Sequence, residues 1–250
     1  MENEYRHNVE YILRKDLKEI VKIAFQPIYS VGENKVVAYE VLSRFQSNKI
    51  GEVSTITAIE VLERIKYIYM LDFLILEKIE KYLLNKNVNI CVNISPITII
   101  REDFLERLMV LKHGFSNLQI EIVERGSFSY TDLIYKIIQL KKLGIKVIMD
   151  DFPIGNSNLE NLFKTHIDGV KIDRDMIKYL ESDKGKSIYK SVVKFLKELG
   201  SEITAEGVEK LEELNFIKEV GVDFVQGYYT GCPISEIEFD KSYKNYLLAE

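Results

Sequence analysis

The polar residues Glu40, Asn93, Glu121, Asp150, Asp151, Lys171, Glu206 and Gln226 each stand late in, or just after, a short apolar run. If those runs are strands of one sheet, Glu40, Glu121, Asp150, Asp151 and Glu206 bring their carboxylates to one rim. Like charges that close raise one another's pKa and destabilise a fold unless cations neutralise them, so the set predicts bound metal. Oxygen ligands with an amide and no Cys or His among them favour Mg²⁺ or Mn²⁺ over zinc or copper. Two such ions about 3.5–4 Å apart would activate a water and stabilise charge developing on a phosphoryl group. Lys171 adds a positive charge that could orient or deprotonate that water, or neutralise the phosphorane. The chemistry this set points to is metal-assisted phosphoester hydrolysis, and the substrate stays open.

The elements that must position these residues follow from the rhythm of the chain. Residues 22–29 and 35–42 read as strands, and the short link over residues 30–34 allows only a hairpin, which makes the pair antiparallel. Helical periodicity follows over residues 55–69 and 71–84. From residue 88 onward, apolar runs at 88–92, 118–122, 145–149, 169–172, 202–204 and 222–225 alternate with helical patterns. Three of the helices end on Leu143-Gly144, Leu199-Gly200 and Val220-Gly221, where glycine can take the left-handed cap conformation. Alternating βα units imply parallel pairing. Eight strands then close into an α/β fold, a (β/α)8 TIM-like barrel with its first strand antiparallel, in which reactive groups gather at the C-terminal strand ends. An open doubly wound sheet is the alternative. Residues 1–20 read as an N-terminal helical segment, and no linker or composition shift marks a second domain, so residues 1–250 are expected to form a single barrel domain.

The formal net charge of −5 supplies no basic field for polymeric nucleic acid, although a small anion could be captured through metal ions and one or two cations. The first twenty residues hold no apolar stretch of the kind a secretory signal needs, and the apolar stretch over residues 65–76 is interrupted by Lys66 and Asp72. A cytoplasmic protein with no membrane segment is expected. Cys91 and Cys232 are far apart and read as buried free thiols, while His7, His113 and His166 are scattered. Any metal must therefore be held mainly by oxygen.

The strings that carry the polar set are Phe25-Gln26-Pro27-Ile28, Tyr39-Glu40-Val41-Leu42-Ser43-Arg44, Val92-Asn93-Ile94-Ser95-Pro96, Glu121-Ile122-Val123-Glu124, Asp150-Asp151-Phe152, Lys171-Ile172-Asp173, Ala205-Glu206-Gly207-Val208-Glu209 and Gln226-Gly227-Tyr228. Together they resemble the successive motifs of the EAL-domain family of cyclic di-GMP phosphodiesterases, in that family's order, from Phe25 almost to the C-terminus. The resemblance implies a barrel with a reversed first strand, and a hydrolase of bacterial second-messenger signalling that opens cyclic di-GMP to linear pGpG. It also implies that Glu40, Asn93, Glu121 and Asp150 hold one metal ion, with Asp150, Asp151 and Glu206 serving a second. Lys171 would act on the nucleophilic water, with Glu206 and Glu124 counted beside it as catalytic. Arg44 would grip a phosphate, and Gln26, Leu42, Asn93, Asp173, Glu209 and Gln226 would line the nucleotide groove. Mg²⁺ or Mn²⁺ would support turnover, Ca²⁺ would bind without supporting it, and a homodimer is a further expectation.

Three departures accompany the resemblance. Glu40-Val41-Leu42 replaces Glu-Ala-Leu, a change that a strand turns away from the face of Glu40 and Leu42. The stretch after Arg44 lacks the proline usual ahead of the next helix. The loop Asp150-Asp151-Phe152-Pro153-Ile154-Gly155 replaces Asp-Asp-Phe-Gly-Thr-Gly, so the hydroxyl that meets the glutamate equivalent to Glu124 is missing, while Ser157 and Glu160 have capping-box spacing beyond it. That loop sustains an alternative function: a catalytically weak or inactive cyclic di-GMP receptor, or a protein-interaction module.

Overall fold

The hairpin expected around residues 30–34 forms. In the computed structural model, which describes residues 2–84, 88–111, 115–122, 128–153, 162, 164 and 167–247, β1 (Val21–Ser30) pairs antiparallel with β2 (Lys35–Ser47) along its whole length. Parallel strands then follow in chain order from β2 through β4 (Asn89–Ile94), β5 (Leu118–Ile122), β6 (Lys146–Phe152), β7 (Gly169–Ile172) and β8 (Glu202–Ala205) to β9 (Phe224–Val225). β9 returns to β1 antiparallel through Tyr29↔Val225 and Ser30↔Phe224. The circuit is a closed eight-strand barrel with one reversed strand, and closure leaves none of the barrel strands an open edge.

Among the described residues the sheet holds ten strands, two more than the eight expected. β3 (Gly51–Val53) folds back on the end of β2, and β10 (Ile234–Ser235) adds to β1. Both are too short to show an alternating pattern. The helix expected over residues 55–69 also ends early. α2 (Thr55–Arg64) stops before Lys66, which turns to φ 55°, and α3 (Ile68–Ile79) begins just after it. Apolar residues recur every three or four positions through both helices, so the pattern alone does not reveal the break. The three expected glycine caps are present, with Gly144, Gly200 and Gly221 at φ 81°, 77° and 86°.

Alternation along each strand divides the molecule into two interiors. Ile90, Val92 and Ile94 of β4 and Leu118, Ile120 and Ile122 of β5 face outward into the main helix-covered core. Ile28, Ala38 and Cys91 form a small separate cluster with Phe224 packed against it. The helix α1 (Glu2–Ile20) closes one flank, burying Val9, Ile12, Leu13, Leu17 and Ile20. Among the described residues no helix is long and apolar enough to cross a membrane. Cys91 is a buried free thiol as expected, but Cys232 is exposed. It lies between β9 and β10, in neither strand, where no packed element among the described residues covers it. His7 is exposed on α1, and His113 and His166 fall outside the described residues.

Candidate active site

β7 is buried along its whole length. Val170 and Ile172 point to the helices, which turns Lys171, only 1% exposed, into the barrel. There its Nζ lies 2.7 Å from Glu206, 3.0 Å from Glu121, 3.1 Å from Glu40 and 3.4 Å from Asp150. Carboxylates from β2, β5 and β6 and from the residue after β8 thus converge on one ammonium. Glu40 accepts two amide hydrogen bonds as well: Asn93 Nδ2 donates to its Oε1 at 2.6 Å, and Gln226 Nε2 donates to its Oε2 at 2.6 Å.

Burial works against every charge in this group, and the outcome differs by residue. For Glu121 and Asp150, desolvation outweighs the attraction of Lys171, and their carboxyls sit above the usual range. Glu206 is pushed up to about 8 by the same balance. Glu40 goes the other way, because the Lys171 charge and the hydrogen bonds from Gln226 and Asn93 together overcome its burial. Lys171 is itself desolvated, yet the surrounding carboxylates hold its pKa well above that of a free lysine.

Adjacent residues of a regular strand face opposite sides, so Asp150 and Asp151 should not share a site. They do, because the β6–β7 register shifts between Met149 and Phe152 and Asp151 turns to φ 56°. Asp is one of the few residues that tolerates this left-handed conformation. The irregularity brings one carboxylate oxygen each from Asp150, Asp151 and Glu206 within 4.8 Å of one another. The loops after the strands are stitched together above the ring, with Glu206 N–H donating to Ile172 O at 3.1 Å and Gln226 N–H to Ala205 O at 2.9 Å. Gly227 allows the last of these loops to close, since a Cβ there would stand 2.1 Å from Val208 O.

The site suits a divalent ion on its own chemistry. Glu121 Oε1 and Gln226 Oε1 are buried and accept no hydrogen bond among the described residues, and leaving a buried acceptor unmade costs about 1–3 kcal/mol. The atoms that could hold an ion, the carboxylates and the Asn93 carbonyl, are all oxygen, as a hard cation requires.

The EAL domain family model matches residues 12–233. The chain belongs to the EAL domain family. It is 28% identical over 246 residues to the probable cyclic di-GMP phosphodiesterase PdeG of Escherichia coli K12, covering 93% of this chain and 48% of that protein. The chain therefore spans about half the length of this relative. Among solved structures, it superposes on the EAL enzyme Bd1971 in its cAMP- and cyclic-di-GMP-bound form with a TM-score of 0.88 at 24% identity, over 97% of this chain and 70% of that one. An EAL domain protein from Listeria monocytogenes EGD-e gives a TM-score of 0.82 at 25% identity, over 98% of both chains.

In this EAL domain a groove of about 240 Å³ opens beside Glu40, Asn93, Asp150 and Asp151. Leu42 and Arg44 line it, and Arg44 donates to Ser43 O at 2.9 Å. Gln26 is half-buried opposite Glu40 in the β1–β2 register. Asp173 is half-buried, and its Oδ1 accepts Asp175 N–H at 2.6 Å at the start of the short helix Asp175–Lys178. Glu209 is exposed and lines an open cleft with Arg174, Lys186 and Gly207, the neighbour of Glu206. Glu124, Ile154 and the Ser157/Glu160 pair lie outside the described residues. The sequence reading missed Asp72, a buried carboxylate in the groove wall. Its signal was an acidic residue interrupting an apolar helix.

Proposed function

We propose that this EAL domain is a metal-dependent phosphodiesterase that hydrolyses cyclic di-GMP to linear pGpG. The observation that carries the reading is the ring itself: Glu40, Glu121, Asp150 and Glu206 around Lys171, with Asp151 turned in to join them and Arg44 in the adjoining groove. Family membership and the names of relatives such as PdeG support the choice of substrate.

Glu40, Asn93, Glu121 and Asp150 would hold one Mg²⁺ or Mn²⁺, and Asp150, Asp151 and Glu206 a second. Such ions, when bound, supply charge neutralisation at phosphoryl oxygens and a lowered pKa for a coordinated water. Asn93 gives its amide nitrogen to Glu40, which leaves its carbonyl oxygen as the ligand atom. Arg44 offers a planar fork of N–H donors to a phosphate of the dinucleotide. Lys171 donates into the centre of the ring, where it orients the attacking water and neutralises charge on the phosphoryl group. Water adds across one P–O3′ bond, leaving a 5′-phosphate at one end and a 3′-hydroxyl at the other. Ca²⁺, larger and with less directed bonds, should support binding of cyclic di-GMP while misplacing the water.

A second reading, a cyclic di-GMP receptor with little turnover, rests on Pro153, which follows Phe152 where the family usually carries glycine. Asp150→Asn and Glu121→Ala separate the two. Each removes a carboxylate from a crowded ring, so the thermal midpoint should hold while turnover of cyclic di-GMP falls by about 100-fold or more. Near-parental turnover in either folded variant would contradict the assignment. Binding in Ca²⁺ with no turnover in Mn²⁺ by the parent would favour the receptor.

A further inference from the structure

The carboxylate of Asp72 belongs to α3, whose neighbouring positions Leu71, Phe73, Leu74 and Ile75 are apolar and buried. At 4% exposure, with no cation bonded to it among the described residues, it stands at a site where a packing residue would serve stability better. Its Oδ2 accepts the Ser95 N–H at 3.1 Å and the Thr98 hydroxyl at 2.5 Å. Those two donors belong to the corner where β4 passes into α4 (Pro96–Ile99). Ser95 is the cap residue of that helix, yet its own side chain makes no capping bond. A carboxylate from another helix ties this corner down through the Ser95 N–H and the Thr98 hydroxyl. Thr98 is wholly buried, so the connection is shielded from water.

This corner directly follows Asn93. Two residues upstream of Ser95, Asn93 pairs with Glu121 in the β4–β5 register and donates to Glu40 at 2.6 Å. Asp72 lines the same groove as Asn93, Asp150 and Asp151. We infer that Asp72 is a positioning residue for the metal site, acting through Ser95 and Thr98 to fix the end of β4 and thereby Asn93. The inference rests on the reading of the ring as a divalent-metal site. It places the support of one ligand on a helix that contributes no ligand of its own. Outer partners of metal ligands typically cost about 10–100-fold in metal affinity or activity when lost.

Both hydrogen bonds fall on a single oxygen, so an amide can replace the carboxylate and keep them. Calorimetric titration with Mn²⁺ alone, and steady-state turnover of cyclic di-GMP, should be compared for the parent, Asp72→Asn, Asp72→Ala and Thr98→Val. Asp72→Asn is expected to stay within about twofold of the parent in both. Asp72→Ala should bind Mn²⁺ about tenfold more weakly and lose about tenfold or more in kcat, with KM changed less than about threefold. Thr98→Val, which removes one bond of the two, should fall between them. A folded Asp72→Ala that binds Mn²⁺ like the parent overturns the inference, and so does an Asn variant as impaired as the Ala one. If Asp72→Ala does not fold, Thr98→Val decides, and parental Mn²⁺ affinity there counts against Asp72. Parental Mn²⁺ binding without hydrolysis would sink the phosphodiesterase reading and leave the metal comparison to judge Asp72 by itself.

Discussion

Lys171 carries a charge in a place that is only 1% exposed, and four carboxylates at 2.7–3.4 Å make that tolerable. The converse holds as well, since without metal those carboxylates have no other ammonium among the described residues to offset them. Lys171→Met should therefore destabilise the metal-free protein by several kcal/mol, the usual penalty of about 3–5 for removing one partner of a buried ion pair. Mn²⁺ should restore most of the loss. Thermal midpoints of parent and variant in EDTA and in Mn²⁺ provide the test, and an equal loss in both conditions would show a packing defect instead. Asp72 gives a second test at this scale. Burial pushes its carboxyl up to about 7, against the two hydrogen bonds it accepts. An acid raised in the folded state keeps its proton there after the unfolded chain has released it, so stability falls as pH rises from about 4 to about 7. That part of the decline, about 1.4 kcal/mol per pH unit between pH 5 and 7, should be absent in Asp72→Asn. Urea midpoints at pH 5 and pH 8 in EDTA would show it as the difference between the two proteins, since Glu206 and its neighbours contribute equally to both. Glu40, Glu121, Asp150 and Glu206 were legible in the sequence because each ends an apolar run. Asp72 was visible only as an interruption, because hydrogen bonds to a turn more than twenty residues away leave no local pattern.

Among the elements, β6 does what no alternation rule predicts. The string Asp150-Asp151 is plain in the sequence, but a regular strand would send one of the two away from the site. The register shift and the φ of 56° at Asp151 undo that separation. Asn tolerates the left-handed conformation almost as well as Asp, whereas alanine pays about 1–2 kcal/mol for it. Asp151→Asn should therefore fold with near-parental stability and bind Mn²⁺ more weakly, while Asp151→Ala should lose both affinity and stability. Urea unfolding paired with Mn²⁺ calorimetry distinguishes them, and equal stability of the two variants would count against the backbone account. Other elements show the same limit of reading from pattern. The β1–β2 hairpin and the glycine-capped helices were legible because each depends on neighbours in sequence. The break at Lys66 and the short strands β3 and β10 depend on tertiary partners, and nothing local marks them.

At the scale of the molecule, closure is what converts scattered strand ends into one site. The alternation of strands and helices made the barrel and its reversed strand legible, since a hairpin followed by crossover units leaves few ways to close the sheet. The convergence of four carboxylates on one lysine was not legible, because it depends on the side chains meeting across the barrel rather than along the chain. The chain carries a formal net charge of −5, and its mouth is acidic, so an anionic dinucleotide should engage it only with cations present. The most direct test incubates the purified protein with cyclic di-GMP in Mn²⁺, with a parallel sample in EDTA, and separates the nucleotides by chromatography. Linear pGpG accumulating in Mn²⁺ and not in EDTA is the predicted result. Cyclic di-GMP left intact in Mn²⁺, or cleaved equally in EDTA, would contradict it.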